Sequence, residues 1–419
     1  MARRLYAHAF LDEFVLLYPL YAVLFADTGL SGAEISSLFV IWSVTSFALE
    51  VPSGVWADVF SRRWLVALSS LPTAAGFALW TALPCYPSFA AGFVLWGTGT
   101  ALASGALEAL VHEELTRRGA AGDYARLMGR AQALRTTAVA LATALAAPVL
   151  AVGGYGALGA ASVAGCLLAA GAGWALPESR GPRQEHGADS GKAGHGGEGG
   201  EEDGEQEGGG AFRAVLRAGL AEVRREPAVR RRLLLAAVLT GTTALDEYVP
   251  LLAAATGVDG TAVPLLVLLV EAGTAVGGWC AGYGARRLAP VLAAGALCLA
   301  AGAAGGHPAG MAAVAAGFGV FQWAMVTADA RLQERVRDRA RATVTSIAGF
   351  GSEVVAVLVF AGYALGSARL APGPLLALAA VPYLAVALAP AAAPLLAARR
   401  RERRGGRSRG GGGADRRAR

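Results

Sequence analysis

The sequence predicts an all-α membrane protein of twelve transmembrane helices, arranged as two pseudo-symmetric six-helix bundles. Three observations predict it. The 419 residues are 55% hydrophobic and only 16% charged, whereas soluble domains run near 25% charged. Residues 64–107, 136–177 and 288–328 contain no Asp, Glu, Lys or Arg. One span takes about 20 apolar residues, so each run is long enough to cross out and back as a helical hairpin. Short motifs from the first half of the chain also return, in order, in the second. Strands of a membrane barrel would alternate apolar and polar residues, and these runs do not. The 57 glycines suit close helix approach in lipid.

In chain order the expected spans are 5–26, 35–57, 64–83, 88–111, 131–152 and 156–177, then 232–254, 262–284, 288–305, 309–330, 343–365 and 373–397. An even count puts both termini on one side. Arg3/Arg4, Arg62/Arg63, Arg117/Arg118/Arg126, Arg286/Arg287, the arginines of 331–341 and the tail all fall on that side. The opposite loops, 27–34, 84–87, 153–155, 255–261, 306–308 and 366–372, hold one arginine, Arg369. Basic residues stay on the cytoplasmic face, so both termini are expected in the cytoplasm of a multi-pass cell-membrane protein. Lys192 is the only lysine among 37 basic residues. Together with the alanine excess, this reads as coding bias of a GC-rich bacterium, whose inner membrane is the expected location. Arg3 and Arg4 precede span 1 with no small-residue cleavage site after it, so the span is expected to be retained.

Residues 1–177 and 232–397 form the two expected bundles, joined by a cytoplasmic linker at 178–231. Segment 178–211 is glycine- and acid-rich and cannot bury enough apolar surface to fold, so it is expected to be disordered. Its His186 and His195 have no cysteine or close histidine partner, which favours solvated side chains over a metal site. In 212–231, Phe212, Val215, Leu216, Leu220 and Val223 recur at helical spacing among arginines. That is an amphipathic helix expected at anionic headgroups, with partner binding as the alternative. The basic tail 398–419 reads as a disordered topology anchor rather than a nucleic-acid arm. Cys85, Cys166, Cys280 and Cys298 lack metal-ligand spacing and read as packing residues.

The internal repeat is specific. Leu11-Asp12-Glu13-Phe14-Val15 returns as Leu245-Asp246-Glu247-Tyr248-Val249. Gly54, Ala57 and Arg62/Arg63 return as Gly278, Ala281 and Arg286/Arg287. Glu108, five residues before Glu113, returns as Asp329, five before Glu334. The offsets fall from 234 to 224 to 221, as a duplicated unit with shorter loops in its second copy requires. Parallel repeats of this kind place a substrate site between the halves, near the bilayer midplane.

The stretch Glu50-Val-Pro-Ser-Gly54-Val-Trp-Ala-Asp58-Val-Phe-Ser-Arg62-Arg63 resembles the loop 2–3 signature of the major facilitator superfamily: glycine, three residues, aspartate, then a basic pair. The resemblance in topology covers the chain apart from linker and tail. It implies a secondary transporter that works by alternating access. Gly54 permits close helix approach, and Asp58 with Arg62 and Arg63 can form a charge relay that holds the halves together and breaks when they rock. Plain topological charge is the other reading of the arginine pair, but it does not account for Asp58. The second copy has Gly282 at the aspartate position, so the relay is expected to be asymmetric. The family's span 4 pattern is met at Gly97-Thr-Gly99-Thr-Ala101, but Phe93 stands where it has arginine. Its span 5 antiporter pattern is not met, because Ala147-Pro148 replaces Gly-Pro.

Acids inside the spans are the best functional clue. They are Asp12, Glu13, Glu108, Asp246, Glu247, Glu271, Asp329 and Glu353. A charge at the bilayer centre costs at least ~2.5 kcal/mol, so each faces a cavity, pairs, or takes up a proton. In the family's architecture spans 1, 4, 7 and 10 line the cavity, and six of the eight acids lie on them. Asp12, Glu13, Asp246, Glu247 and Glu271 are the candidate proton and substrate residues, with interhelical hydrogen bonding the alternative at each. Asp12 and Asp246 are expected to face each other across the cavity. Glu13 and Glu247 point about 100° away on their helices and are the alternative carriers. Glu108 and Asp329 lie nearer the cytoplasmic ends, where pairing with Arg126, Arg130 or Arg341 is expected. His8 is placed to pair with Asp12 or to sit at the interface.

No basic residue lies at mid-membrane in the first four spans, and an acidic cavity lacking arginine suits a cationic or neutral amphipathic substrate rather than an anion. Phe14, Tyr18, Tyr21, Trp42, Trp96, Tyr248 and Trp323 are candidates for stacking on it. The expected function is proton-coupled efflux of a small compound by a monomer. Proton-coupled nutrient uptake and a non-transporting sensor or scaffold are the alternatives. No nucleotide loop, metal cluster or nucleophile motif occurs, so no enzymatic activity, cofactor, metal or nucleic-acid partner is expected.

Overall fold

The computed structural model describes residues 1–178, 227–241, 243–284, 287–333 and 338–388, and side chains at all of these except 50–59, 227–232, 234, 332–333 and 338–346. The linker from 179, the amphipathic helix as far as 226, the tail, Arg286 and Glu334 therefore lie outside the described residues. So do the side chains of Gly54, Asp58 and Arg341.

The described residues are mostly helical, with no strand among them. Seven stretches are long and apolar enough to cross a membrane: Gly32–Leu49, Arg62–Ala82, Tyr86–Arg117, Ala121–Trp174, Gly260–Trp279, Gly310–Arg331 and Ile347–Ser367. Leu235–Asp246, Leu288–Ala304 and Pro372–Leu388 are shorter apolar helices. Large apolar side chains such as Val152, Leu358 and Leu365 stand exposed. Exposed apolar surface on this scale belongs against lipid rather than water.

Several expected spans differ from single uninterrupted helices. Span 1 is two helices, α1 (Ala2–Glu13) and α2 (Tyr21–Asp27), with turns between them. Span 2 is α3 (Gly32–Val59) and span 3 is α4 (Arg62–Ala82). Span 4 breaks into α5 (Tyr86–Ala103) and α6 (Ala106–Arg117), hinged at Gly105 with φ +69°. Glycine takes this left-handed conformation without the Cβ clash other residues suffer. Spans 5 and 6 run through α7 (Tyr124–Trp174), which turns at Gly154 with φ +61°, inside the expected 153–155 loop. Span 7 is three pieces: α8 (Pro227–Thr240), α9 (Thr243–Asp246) and α10 (Val249–Ala255). Then come α11 (Val263–Trp279), α12 (Leu288–Ala304), α13 (Gly310–Gln333), α14 (Asp338–Ser367) and α15 (Pro372–Ala379).

The helices up to α7 pack chiefly among themselves, and those from α8 onward do likewise. The two sets meet where α3 packs on α14, α7 on α11 and α2 on α10. Small residues set the closest approaches. A Cβ on Gly277 of α11 would collide with the carbonyl oxygen of Gly319 on α13, and one on Gly76 of α4 would lie 2.8 Å from that of Gly92 on α5.

The contacts between the sets seal one end of the molecule, the end carrying loops 27–34, 255–261 and 366–372. Tyr248 is fully buried there. Its hydroxyl shares a 2.7 Å hydrogen bond with Ser36 Oγ, and its ring stacks on Tyr363 at 3.6 Å. Phe39 meets Tyr248 edge-on, with centroids 5.5 Å apart. Deeper along the same seam, Ser43 Oγ donates to Glu353 Oε2 at 2.5 Å.

Candidate functional site

The two Asp-Glu pairs of the internal repeat sit where their helices stop. α1 ends on Asp12-Glu13, and Phe14 leaves the helix at φ −82°, ψ 68°. α9 ends at Asp246, and Glu247 and Tyr248 form the turn before α10. Proline accounts for both breaks locally. Pro19 lies in the turn ahead of α2 and disfavours helical geometry at Tyr18. Pro250 stands in the first turn of α10, the helical position where a missing N–H costs nothing. Non-helical backbone at membrane depth is tolerated where it lines a cavity or is buried in protein, and both breaks adjoin cavities.

The first cavity has a volume of about 330 Å³ and gathers Asp12 and Glu13 from α1, Glu108 from α6 and Arg135 from α7. Its closed end is aromatic: Tyr18 and Trp96 lie in its wall with rings stacked at 5.4 Å. Ser70 Oγ donates to Asp12 Oδ1 at 3.0 Å. The second cavity, about 570 Å³, gathers Glu13, Arg135, Asp246 and Glu271, with Gln132 and Gln322 beside them. Thr143 Oγ1 donates to Glu271 Oε1 at 3.2 Å, across the α7–α11 contact. The other oxygen, Glu271 Oε2, is buried with no partner among the described residues. Glu13 and Arg135 belong to both cavities and pair at 3.6 Å. Ser104, Gly105 and Glu108, at the mouth of the first cavity, are exposed. The site is thus open toward the end that carries the N-terminus and closed at the other.

Several expectations are corrected. The cavity does contain an arginine. Arg135 stands at the start of the apolar run of span 5, and the packing of α1 on α7 turns it inward to Glu13. Asp12 and Asp246 line different cavities instead of facing each other across one, because the α1 break leaves Glu13, not Asp12, at the junction. His8 pairs neither with Asp12 nor with the interface: it is buried, and its Nδ1–H donates to the carbonyl of Ala169 at 3.0 Å. Glu247 and Asp329 line neither cavity; Asp329 is exposed on α13. Arg126 is committed to Asp123 at 2.8 Å, so it is not the partner of Glu108.

The basic pair of the loop 2–3 motif opens α4 instead of lying in the loop. A positive helix N-terminus disfavours arginine, and Glu178 compensates. Its carboxylate accepts the Arg62 backbone N–H at 2.9 Å and the Ser61 hydroxyl, while Ser61 Oγ caps Trp64 N–H. The Arg62 guanidinium pairs with Glu113 of α6 at 2.7 Å. The Arg63 guanidinium lies 5.4 Å from the ring centre of Trp174. Both Glu113 and Glu178 escaped the sequence reading as partners, since nothing local joins them to Arg62.

The family model of the Major Facilitator Superfamily matches residues 5–361. No curated protein sequence matches the chain. Among solved structures, the nucleoside transporter NupG is similar over 93% of this chain and 97% of its own, with 13% identity and a TM-score of 0.67. The POT family transporter PepTSo covers 93% of this chain and 96% of its own at 14% identity and a TM-score of 0.62. A D-xylose-proton symporter covers 91% and 95% at 14% identity and a TM-score of 0.59.

Proposed function

The chain belongs to the Major Facilitator Superfamily, and from that premise we propose that it exports a small amphipathic or cationic compound in exchange for protons, by alternating access. The observation that carries this reading is the meeting of two cavities at Glu13 and Arg135, with Asp12, Glu108, Asp246 and Glu271 around them. Five acids against one arginine leave the site acidic, which attracts cations and repels anions such as phosphate. The stacked Tyr18 and Trp96 offer a flat face to an aromatic or cationic group.

Exchange follows from the chemistry of the acids. A cationic substrate and a proton compete for the same carboxylates, so each lowers the affinity for the other, and the effect is reciprocal. An inward proton gradient then drives the substrate out. Cavities of this size support transport over a scaffold role, in which the pore would be filled by side chains.

Residues 1–177 and 232–397 act as the two six-helix bundles of a twelve-span monomer, linked through 178–231 and followed by the tail 398–419. Both termini lie in the cytoplasm of a bacterial cell, so the open end of the site is its inward face. Rocking the bundles about the site breaks the Tyr248–Ser36 seal on one side. On the other side Asp58, Arg62 and Arg63, with Gly54 at the helix contact, act as the gate.

Reconstitution in proteoliposomes with an imposed pH gradient tests the reading, with ethidium as a planar aromatic cation. Gradient-driven accumulation is expected in the parent protein and should be lost when Asp12, Glu13, Asp246 and Glu247 are changed together to Asn or Gln. Unchanged accumulation in that variant overturns coupling through these residues.

A further inference from the structure

A third concavity, of about 570 Å³, lies outside the charged site and is open to the surface between α11, α12 and α13. Its walls are almost entirely apolar, with Leu269, Val276, Val291, Ala316 and Val320 among them. Tyr283 stands 79% exposed at one end, its backbone carbonyl accepting the Trp323 indole N–H at 3.0 Å. At that same end the groove is bordered by Arg287, which is exposed. No carboxylate pairs with Arg287 among the described residues. Arg287 also caps α12, whose first turn receives no side-chain cap.

An apolar trough that ends on Arg287, a cation with no ion-pair partner among the described residues, complements the charge pattern of a phospholipid: hydrocarbon along its length, anion at its tip. We propose that this groove binds an anionic phospholipid of the surrounding bilayer, one acyl chain lying along α11 and α13 and the headgroup phosphate held by Arg287. Arg–phosphate hydrogen bonds are charge-assisted and frequently bidentate, and basic pockets between membrane helices bind anionic headgroups. The positive N-terminus of α12 adds to the attraction for the phosphate. The transported cation is a poor occupant, because Arg287, the charged residue of the groove among the described residues, repels it.

The purified full chain in detergent, titrated with phosphatidylglycerol or phosphatidylcholine and read by native mass spectrometry, tests this. Both lipids carry the phosphodiester, but the choline ammonium of phosphatidylcholine cancels its charge and is repelled by Arg287, so phosphatidylglycerol should bind roughly tenfold more tightly, a difference of about 1.4 kcal/mol. Arg287→Gln should abolish that preference, and Arg287→Lys should keep part of it. Ala316→Phe, at an exposed position on the groove wall, should weaken both lipids. Equal binding of the two lipids by the parent protein overturns the proposal, as does a preference that survives Arg287→Gln. Displacement of phosphatidylglycerol by inorganic phosphate alone at matching concentration also overturns it, since the groove would then play no part. None of these readouts depends on transport, so this proposal and the exchange reading fail separately.

Discussion

Arg135 and Glu13 line both cavities and pair at 3.6 Å. Their side chains are 26% and 29% exposed, and a partly solvated ion pair is worth at most about 1 kcal/mol of stability. Arg135→Gln is therefore expected to leave the thermal midpoint nearly unchanged while lowering gradient-driven transport of ethidium by about tenfold or more, an effect on turnover rather than on folding. Comparable losses in midpoint and transport would make Arg135 merely structural. At the proposed gate, Asp58→Asn removes a charge but little volume and should impair turnover more than expression; equal transport by this variant and the parent would end the relay idea. Arg62 adds a double-mutant test. Arg62→Gln and Glu113→Gln should be non-additive in transport rate, because the two side chains are in direct contact at 2.7 Å.

Among the elements, the helix breaks decide where chemistry can occur. Gly105 has open space where a methyl would project but sits at φ +69°, so Gly105→Ala should cost about 1–2 kcal/mol through backbone conformation alone, seen as a lowered unfolding midpoint. Gly277 is the contrasting case. Its conformation is ordinary, but a side chain there meets the Gly319 carbonyl, so Gly277→Val should cost ~1–3 kcal/mol by overpacking and lower the yield of folded protein. The apolar lengths, the 153–155 turn and the repeated Asp-Glu pairs were legible in the sequence, because lipid demands long uncharged runs and duplication leaves matching residues. The breaks were written there too, in Pro19, Pro250 and Gly105, but hydropathy is the same for a continuous and an interrupted helix. What no local pattern holds is rotation and partnership. Arg135 reads as the cytoplasmic edge of span 5 until α1 packs on α7, and Glu178 reads as linker until it caps α4.

For the molecule as a whole, sidedness is the first thing to establish. A cysteine at Gly306 should react with an impermeant maleimide added outside intact cells, whereas cysteines at Ser190 and Gly410 should react only after permeabilisation, with exposed Cys85 and Cys280 first replaced. External labelling at Ser190 would invert the orientation and with it the direction of transport. The residue shared by the two cavities has a further consequence for pharmacology. Because Glu13 borders both, a blocker lodged in either compartment ties up the same carboxylate, and chemically unlike blockers should exclude one another without touching. Inhibitor pairs should then act as mutually exclusive in dose–response mixtures, and a single substitution at Glu13 should weaken the binding of both.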